Sequence, residues 1–123
     1  MLSGFIRLAS GDQHSVILKE DGSVWTTGYN EYGQLGTNSF DVGSFDFLLV
    51  MLSNAKAVAV GSDHTMVLKR DNSVWVTGQN RHGQLGDGSE EDRCAFVKVL
   101  PDGAKAMAAG HDHSMVLKQD GSV

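Results

Sequence analysis

The sequence predicts an all-β chain, a partial β-propeller of about 2.5 four-stranded blades. Three observations predict it. The segment Gly11-Asp12-Gln13-His14-Ser15 returns as Gly61-Ser62-Asp63-His64-Thr65 and as Gly110-His111-Asp112-His113-Ser114, at spacings of 50 and 49 residues. Each copy then carries a turn signal, Asp21-Gly22, Asp71-Asn72 or Asp120-Gly121, between short apolar runs. Both faces of the resulting hairpins are apolar, so each must be covered by a neighbour. Radial stacking of sheets does this, whereas a sandwich leaves one face polar.

The repetition extends well past the histidines. Between Gly11 and Gly36, 15 of the 26 positions are identical in the second copy. The repeat cores fall at residues 5–36, 56–86 and 105–123 of a single repeat region spanning residues 1–123. The third copy stops at Val123, where the earlier copies continue into Trp25 and Trp75. A period near 50 residues marks an array of units, each too small to bury its own faces.

Within one unit the strands follow from the turns. A two-residue type I′ turn at Asp21-Gly22 would pair residues whose numbers sum to 43, placing Leu18 opposite Trp25 and Ile17 opposite Thr26. The same turn at Asp71-Asn72 would place Leu68 opposite Trp75 and Val67 opposite Val76. One face would then carry Leu and Trp, and both tryptophans read as core. A small-residue strand precedes each hairpin, at residues 6–10, 56–60 and 105–109. Outer strands are expected at residues 45–52 and 96–100. The stretch Phe45-Asp46-Phe47-Leu48-Leu49-Val50-Met51 reads either as a buried outer strand or as an adhesive edge.

Composition excludes several classes. Ten basic residues stand against 15 acidic ones, a net charge of −5, and no basic run exists; a nucleic-acid partner is not expected. No apolar stretch is long enough for a bilayer and no signal-peptide pattern opens the chain. The lone Cys94 and the lack of an N-x-Ser/Thr sequon fit the cytoplasm or nucleus. The repeated His14, His64 and His113 would stand a sheet spacing of about 10 Å apart, too far to share a metal. Each is read as structural, its imidazole bonded to a backbone carbonyl beside its own hairpin. No metal or cofactor is expected. No nucleophile–base pair or phosphate loop points to an enzyme.

Taken together, Gly-x-x-His-Ser/Thr, Asp-Gly-Ser-Val-Trp and Gly-x-Asn-x-x-Gly-Gln-Leu-Gly resemble the repeat of the regulator of chromosome condensation family. WD40 repeats are shorter and carry Trp-Asp, and Kelch repeats carry Gly-Gly; this chain has neither dipeptide. The resemblance implies a seven-bladed ring, of which this would be a part. The expectation is a fragment of a longer protein, or else a short chain completed by other copies or another protein. The resemblance also implies scaffold roles for the signature residues. Gln34 and Gln84 would tie a blade's loop to its neighbour through their side-chain amides. Leu35 and Leu85 would plug the gap between blades. Gly22, Asn72 and Gly121, together with Gly33, Gly36, Gly83 and Gly86, would permit the turns.

The slots that differ between copies are Asp12-Gln13, Ser62-Asp63 and His111-Asp112. In a propeller these loops gather around the central channel and form candidate partner-binding loops, unless each Asp merely caps its own turn. The family's founding member uses acidic and histidine residues on that face for nucleotide exchange on the GTPase Ran, and Asp63 and Asp112 match its Gly-x-Asp-His form. The plant ultraviolet-B photoreceptor carries Gly-Trp-Arg-His-Thr there, which this chain lacks. A protein-interaction module is therefore the leading expectation. A Ran- or Rab-type exchange factor is the alternative, and a propeller attached to a ligase or kinase is a third. The parent's enzymatic status stays open.

Overall fold

The computed structural model describes residues 5–51 and 53–123. Its ten strands form three sheets. The first is an antiparallel meander of β1 (Phe5–Ser10), β2 (His14–Lys19), β3 (Val24–Tyr29) and β4 (Gly43–Met51). The second repeats it with β5 (Ala55–Val60), β6 (His64–Lys69), β7 (Val74–Gly78) and β8 (Arg93–Leu100). The third holds β9 (Ala104–Ala109) and β10 (Ser114–Lys118). These are two complete four-stranded blades and the inner pair of a third. The outer strands begin earlier than expected, and Leu52 lies outside the described residues.

The hairpin register differs from the expectation by one residue. Ile17 opposes Trp25 and Leu18 opposes Val24; Val67 opposes Trp75 and Leu68 opposes Val74. The opposed numbers sum to 42 and 142. The cause is a three-residue loop in place of a two-residue one. Gly22 N donates to Lys19 O at 2.9 Å, closing a turn, and Lys19 N donates to Ser23 O at 3.1 Å. Gly22 sits at φ 83° and Asn72 at φ 68°, the left-handed position of a turn followed by a bulge. Leu and Trp consequently lie on opposite faces.

That register decides what each face meets. Val16, Leu18 and Val24 of the first sheet pack on Ala55, Val58 and Val67 of the second. Met66, Leu68, Val74 and Val76 leave the second sheet on its other face and pack with Leu85 and Ala104. The second sheet is thus buried on both sides, as stacking requires. Backbone bonds stitch the seams: Ala55 N donates to Gly22 O at 3.0 Å, and Ala104 N to Asn72 O at 3.1 Å. Leu35 and Leu85 are both buried.

The tryptophans are not core. Trp25 and Trp75 are only partly buried. Their rings lie under lysines, with Lys19 Nζ 4.4 Å from Trp25 and Lys69 Nζ 4.2 Å from Trp75. Each indole N–H donates to a serine two residues back, Ser23 Oγ at 3.0 Å and Ser73 Oγ at 2.9 Å. Those hydroxyls donate in turn to Asp21 and Asp71. The Asp-Gly-Ser-Val-Trp motif is therefore a turn with its own hydrogen-bond chain.

The stretch 40–51 is an exposed edge. Phe40, Val42, Phe45, Phe47, Leu48 and Leu49 are all exposed, while Val50 and Met51 pack against the core. Because Trp75 is only partly buried, Trp75→Ala should cost about 1–2 kcal/mol, below the 3–5 kcal/mol typical of a buried ring. Urea denaturation of the two chains measures this, and a loss above about 3 kcal/mol would show the ring to be core.

Candidate functional site

Two histidines clasp successive sheets together. His14 Nε2 lies 2.9 Å from Thr65 Oγ1 of the next repeat, and Thr65 Oγ1 donates to Gln34 O at 2.7 Å. His64 Nε2 lies 3.0 Å from Ser114 Oγ, which donates to Gln84 O. A hydroxyl has one proton to give. Since it goes to the carbonyl, Nε2–H is the donor and Nδ1 is unprotonated. The imidazole partner is thus a hydroxyl of the following repeat, not a carbonyl of its own hairpin. The reason is reach: the ring points across the seam between sheets. Both Nδ1 atoms are buried without a partner. Burial lowers each imidazole to about pH 4, and a second histidine nearby adds to the effect. His113 has the same place in the third repeat and is exposed.

The glutamine loops divide. Gln34 Nε2 reaches Asp63 Oδ1 across the seam at 3.4 Å. Gln84 Nε2 instead donates to Gln79 Oε1 of its own sheet at 3.3 Å, so only its backbone carbonyl crosses. Both side-chain carbonyls hold their own loops, accepting from Tyr32 N and His82 N. Gly33, Gly36, Gly83 and Gly86 all adopt positive φ there.

The hub of each loop is an asparagine that sequence reasoning did not single out. Asn30 and Asn80 are fully buried. Asn30 accepts from Leu35 N at 3.0 Å and donates to Ser39 O and Asp41 Oδ1, both at 2.9 Å. Asn80 accepts from Leu85 N at 3.0 Å and donates to Asp87 Oδ1 and Glu91 O, also at 3.0 Å. Their fixed place in Gly-x-Asn-x-x-Gly was the available signal. Burial works against ionisation of Asp87, yet the Arg93 guanidinium at 2.8 Å, Ser89 and Asn80 together hold it down at about 2.

One residue of each variable slot, Asp12, Ser62 and His111, lines a shared cavity, while Gln13, Asp63 and Asp112 lie outside its lining. Ser10, Gly11 and Asp12, then Val60, Gly61 and Ser62, then Ala109, Gly110 and His111 line one cavity of about 310 Å³. The glycines permit this. A Cβ on Gly11 would run into the carbonyl of Gly61, and one on Gly61 into that of Gly110. Asp12 N donates to Ser62 O at 3.3 Å, and Ser62 Oγ is hydrogen-bonded to His111 Nδ1. Asp12, Gln13 and His111 are exposed, Asp63 and Asp112 are partly buried, and Ser62 is buried. Asp63 Oδ1 accepts from Gln34 Nε2 of the preceding repeat, so its carboxylate reaches across the seam. Its pKa is raised by burial first, then by Asp12, with Asp112 and Glu31 adding and His111 opposing. The rim is acidic.

Ser62, His111 and Asp112 follow one another as a hydrolytic triad would, but Asp112 stands 3.9 Å from His111 Nε2, beyond hydrogen-bond reach. Among the described residues, no three His, Cys, Asp or Glu side chains are grouped to hold a metal. No described helix is long and apolar enough to cross a membrane.

Two family models for the regulator of chromosome condensation (RCC1) repeat match, one over residues 5–34 and 55–84, the other over 21–68 and 71–117. The chain belongs to the RCC1 repeat family. Comparison with curated protein sequences finds no match. Solved structures agree with the blades. Human WBSCR16 is similar at 25% identity and TM-score 0.84 over 97% of this chain. Yeast RCC1 (Prp20), in a structure bound to Kap60, is similar at 30% identity and TM-score 0.78 over 95%. Saccharomyces cerevisiae Prp20p in a further structure, described with its binding to Gsp1p and histones, matches at 21% identity and TM-score 0.74 over 91%. The chain spans 33%, 28% and 30% of those three chains. RCC1-repeat blades of a β-propeller are therefore what the described residues form.

The clasp makes stability pH-dependent with a definite sign. Below pH 6.5 the unfolded chain protonates His14 and His64, while the folded chain resists until about pH 4. Stability is full above pH 6.5 and falls toward pH 4, by on the order of 3 kcal/mol per histidine. Asp87 adds its own loss only below its ordinary value of 3.8. Urea midpoints at pH 7.5 and 4.5 should differ, and the difference should shrink in the His14→Gln, His64→Gln chain. Equal midpoints for the unsubstituted chain would refute buried neutral imidazoles.

Proposed function

We propose that this chain is part of a protein-interaction propeller whose partner is read by the channel-mouth loops: Asp12, Gln13, Ser62, Asp63, His111 and Asp112. One observation carries the reading. Three successive repeats each bring one differing residue, Asp12, Ser62 and His111, to one cavity while the clasp residues stay the same in type. A frame that repeats and a rim that varies is how a repeat array builds a specific surface. The rim carries Asp12, Asp63 and Asp112, so a partner with a basic patch is favoured, and its binding weakens with salt. Yeast RCC1 (Prp20), a structural relative, is described with protein partners. A cytoplasmic or nuclear site of action goes with this reading, without nucleic acid, membrane or cofactor.

Exchange on a small GTPase is the second reading. Asp63 and Asp112 favour it, standing in the slot before the repeated histidine. Exchange needs no covalent step, only a surface that prefers the nucleotide-free protein.

Replacing Asp63 and Asp112 with asparagine should weaken capture of a basic protein partner about tenfold at low salt and less at high salt. Retained binding after all three loops become Gly-Ser would remove the interaction reading. Release of fluorescent GDP from Ran- and Rab-type GTPases, followed with the full-length protein, separates the second reading. Acceleration supports exchange, and an unchanged rate in every case removes it.

A further inference from the structure

The loop between β7 and β8, residues 79–92, holds a run that the rim does not use: Ser89-Glu90-Glu91-Asp92. No other serine or threonine in the chain is followed by three acids. Arg93 comes next, but its guanidinium is taken up by Asp87 at 2.8 Å, so the run stays acidic. Gly88, Glu90 and Glu91 are exposed and Ser89 is half-buried. That openness belongs to the repeat itself. In the first copy, with the second sheet packed against it, Asn38 to Val42 are all exposed, and Ser39 holds the place of Ser89.

Ser89 is also wired to an arginine. Its Oγ donates to Asp87 Oδ1 at 2.8 Å and accepts from Arg93 Nη2 at 3.3 Å. Asn80 Nδ2 reaches the same oxygen at 3.2 Å. Arg93 Nε meanwhile donates to Asp87 Oδ2. One guanidinium thus stands between a carboxylate and a serine oxygen. Its backbone is fixed, with Thr77 Oγ1 donating to Arg93 O at 2.9 Å. An anion built on Ser89 would find a charged donor within reach without any movement of β8.

We propose that Ser89 is a phosphorylation site, for a serine kinase whose peptide-binding cleft is basic. Acidic residues after the target serine are what such a cleft attracts. The γ-phosphoryl group of ATP passes to Ser89 Oγ: the new P–O bond forms as the bond to ADP breaks, and the hydroxyl proton leaves to the kinase's base. The phosphate brings about two negative charges. It repels Asp87, which loses the hydrogen bond it accepted from the hydroxyl, and it draws the Arg93 guanidinium to itself. The loop leaves its sheet at the same end as the variable slots, Gln79 N donating to Asp63 O at 2.9 Å, so the modification deepens the negative charge of that end.

Incubating the complete 123-residue chain with an acidophilic serine kinase and labelled ATP should attach about one phosphate per chain, placed on Ser89 by mass spectrometry. Ser89→Ala should cut labelling at least about tenfold. Should that variant not fold, site mapping on the unsubstituted chain decides the matter. Glu90→Gln, Glu91→Gln and Asp92→Asn together should cut labelling about as much while circular dichroism stays unchanged. Phe40→Glu with Val42→Asp, both at exposed positions, should make Ser39 a second acceptor. The second ionisation of the phosphate, followed by phosphorus NMR, should lie lower in the unsubstituted chain than in Arg93→Gln. A folded chain that stays unlabelled overturns the proposal, even where a peptide of residues 84–95 is labelled. So does labelling that survives neutralisation of the acidic run. Equal ionisation in the two chains overturns the part given to Arg93.

Discussion

Every sheet in this chain has two apolar faces, and no sheet can satisfy both by itself. That constraint orders the rest. Val58 and Val67 must look one way while Met66 and Leu68 look the other. The consequence is stacking, and stacking needs a device that fixes the distance and angle of each neighbour. Apolar contact alone is not directional. The imidazole–hydroxyl–carbonyl chain is directional. It takes one residue from the His position of a repeat, one hydroxyl from the next repeat and one carbonyl from the glutamine loop of the first. Two sequence motifs about 20 residues apart are therefore halves of one joint.

The joint also explains why the histidines stay uncharged. A lone buried imidazole is an expensive group to ionise, and Nδ1 has no partner that would offset a proton. Keeping it neutral leaves Nε2–H as the donor to the hydroxyl. Asparagine would lack the reach and lysine would bring a charge. The repeated histidine is thus a structural choice, and the glycine three residues before it makes room for the ring.

Much of this was legible before any coordinates. Period, turn signals and two-sided apolarity led to the blades, and a periodic array places equivalent loops side by side, so Asp12, Ser62 and His111 line one cavity. What failed failed for local reasons. Asp-Gly was read as a two-residue turn, but Ser23 stays outside the loop and closes it from Lys19, so the loop holds three residues. One residue of register then reversed the face of Trp25. The histidine partner was missed because the recipient hydroxyl lies 51 positions away in sequence, at Thr65. Asn30 and Asn80 were visible only as letters in a motif. Nothing short of geometry shows that one amide ties three parts of its loop together.

The division between frame and rim bears on what such a chain can recognise. The residues that hold the sheets are used up by holding them: His14, His64, Thr65, Asn30, Asn80 and Gln34 all have their polar atoms committed within or between repeats, apart from the two Nδ1 atoms. Of the positions immediately before each histidine, Asp63 accepts from Gln34 and Ser62 bonds His111 across the seams, while the backbone there is set by glycine packing on the next loop's carbonyl. Side chains at those positions differ from repeat to repeat on the same strand pattern. In this chain they converge as three carboxylates, a serine and an imidazole, close enough that Asp63 feels Asp12, Asp112 and His111 together. On the proposed reading, a partner approaching that mouth would meet one coupled electrostatic surface rather than three separate loops. Its specificity therefore depends on the blades staying in register with one another, which returns the argument to the clasp.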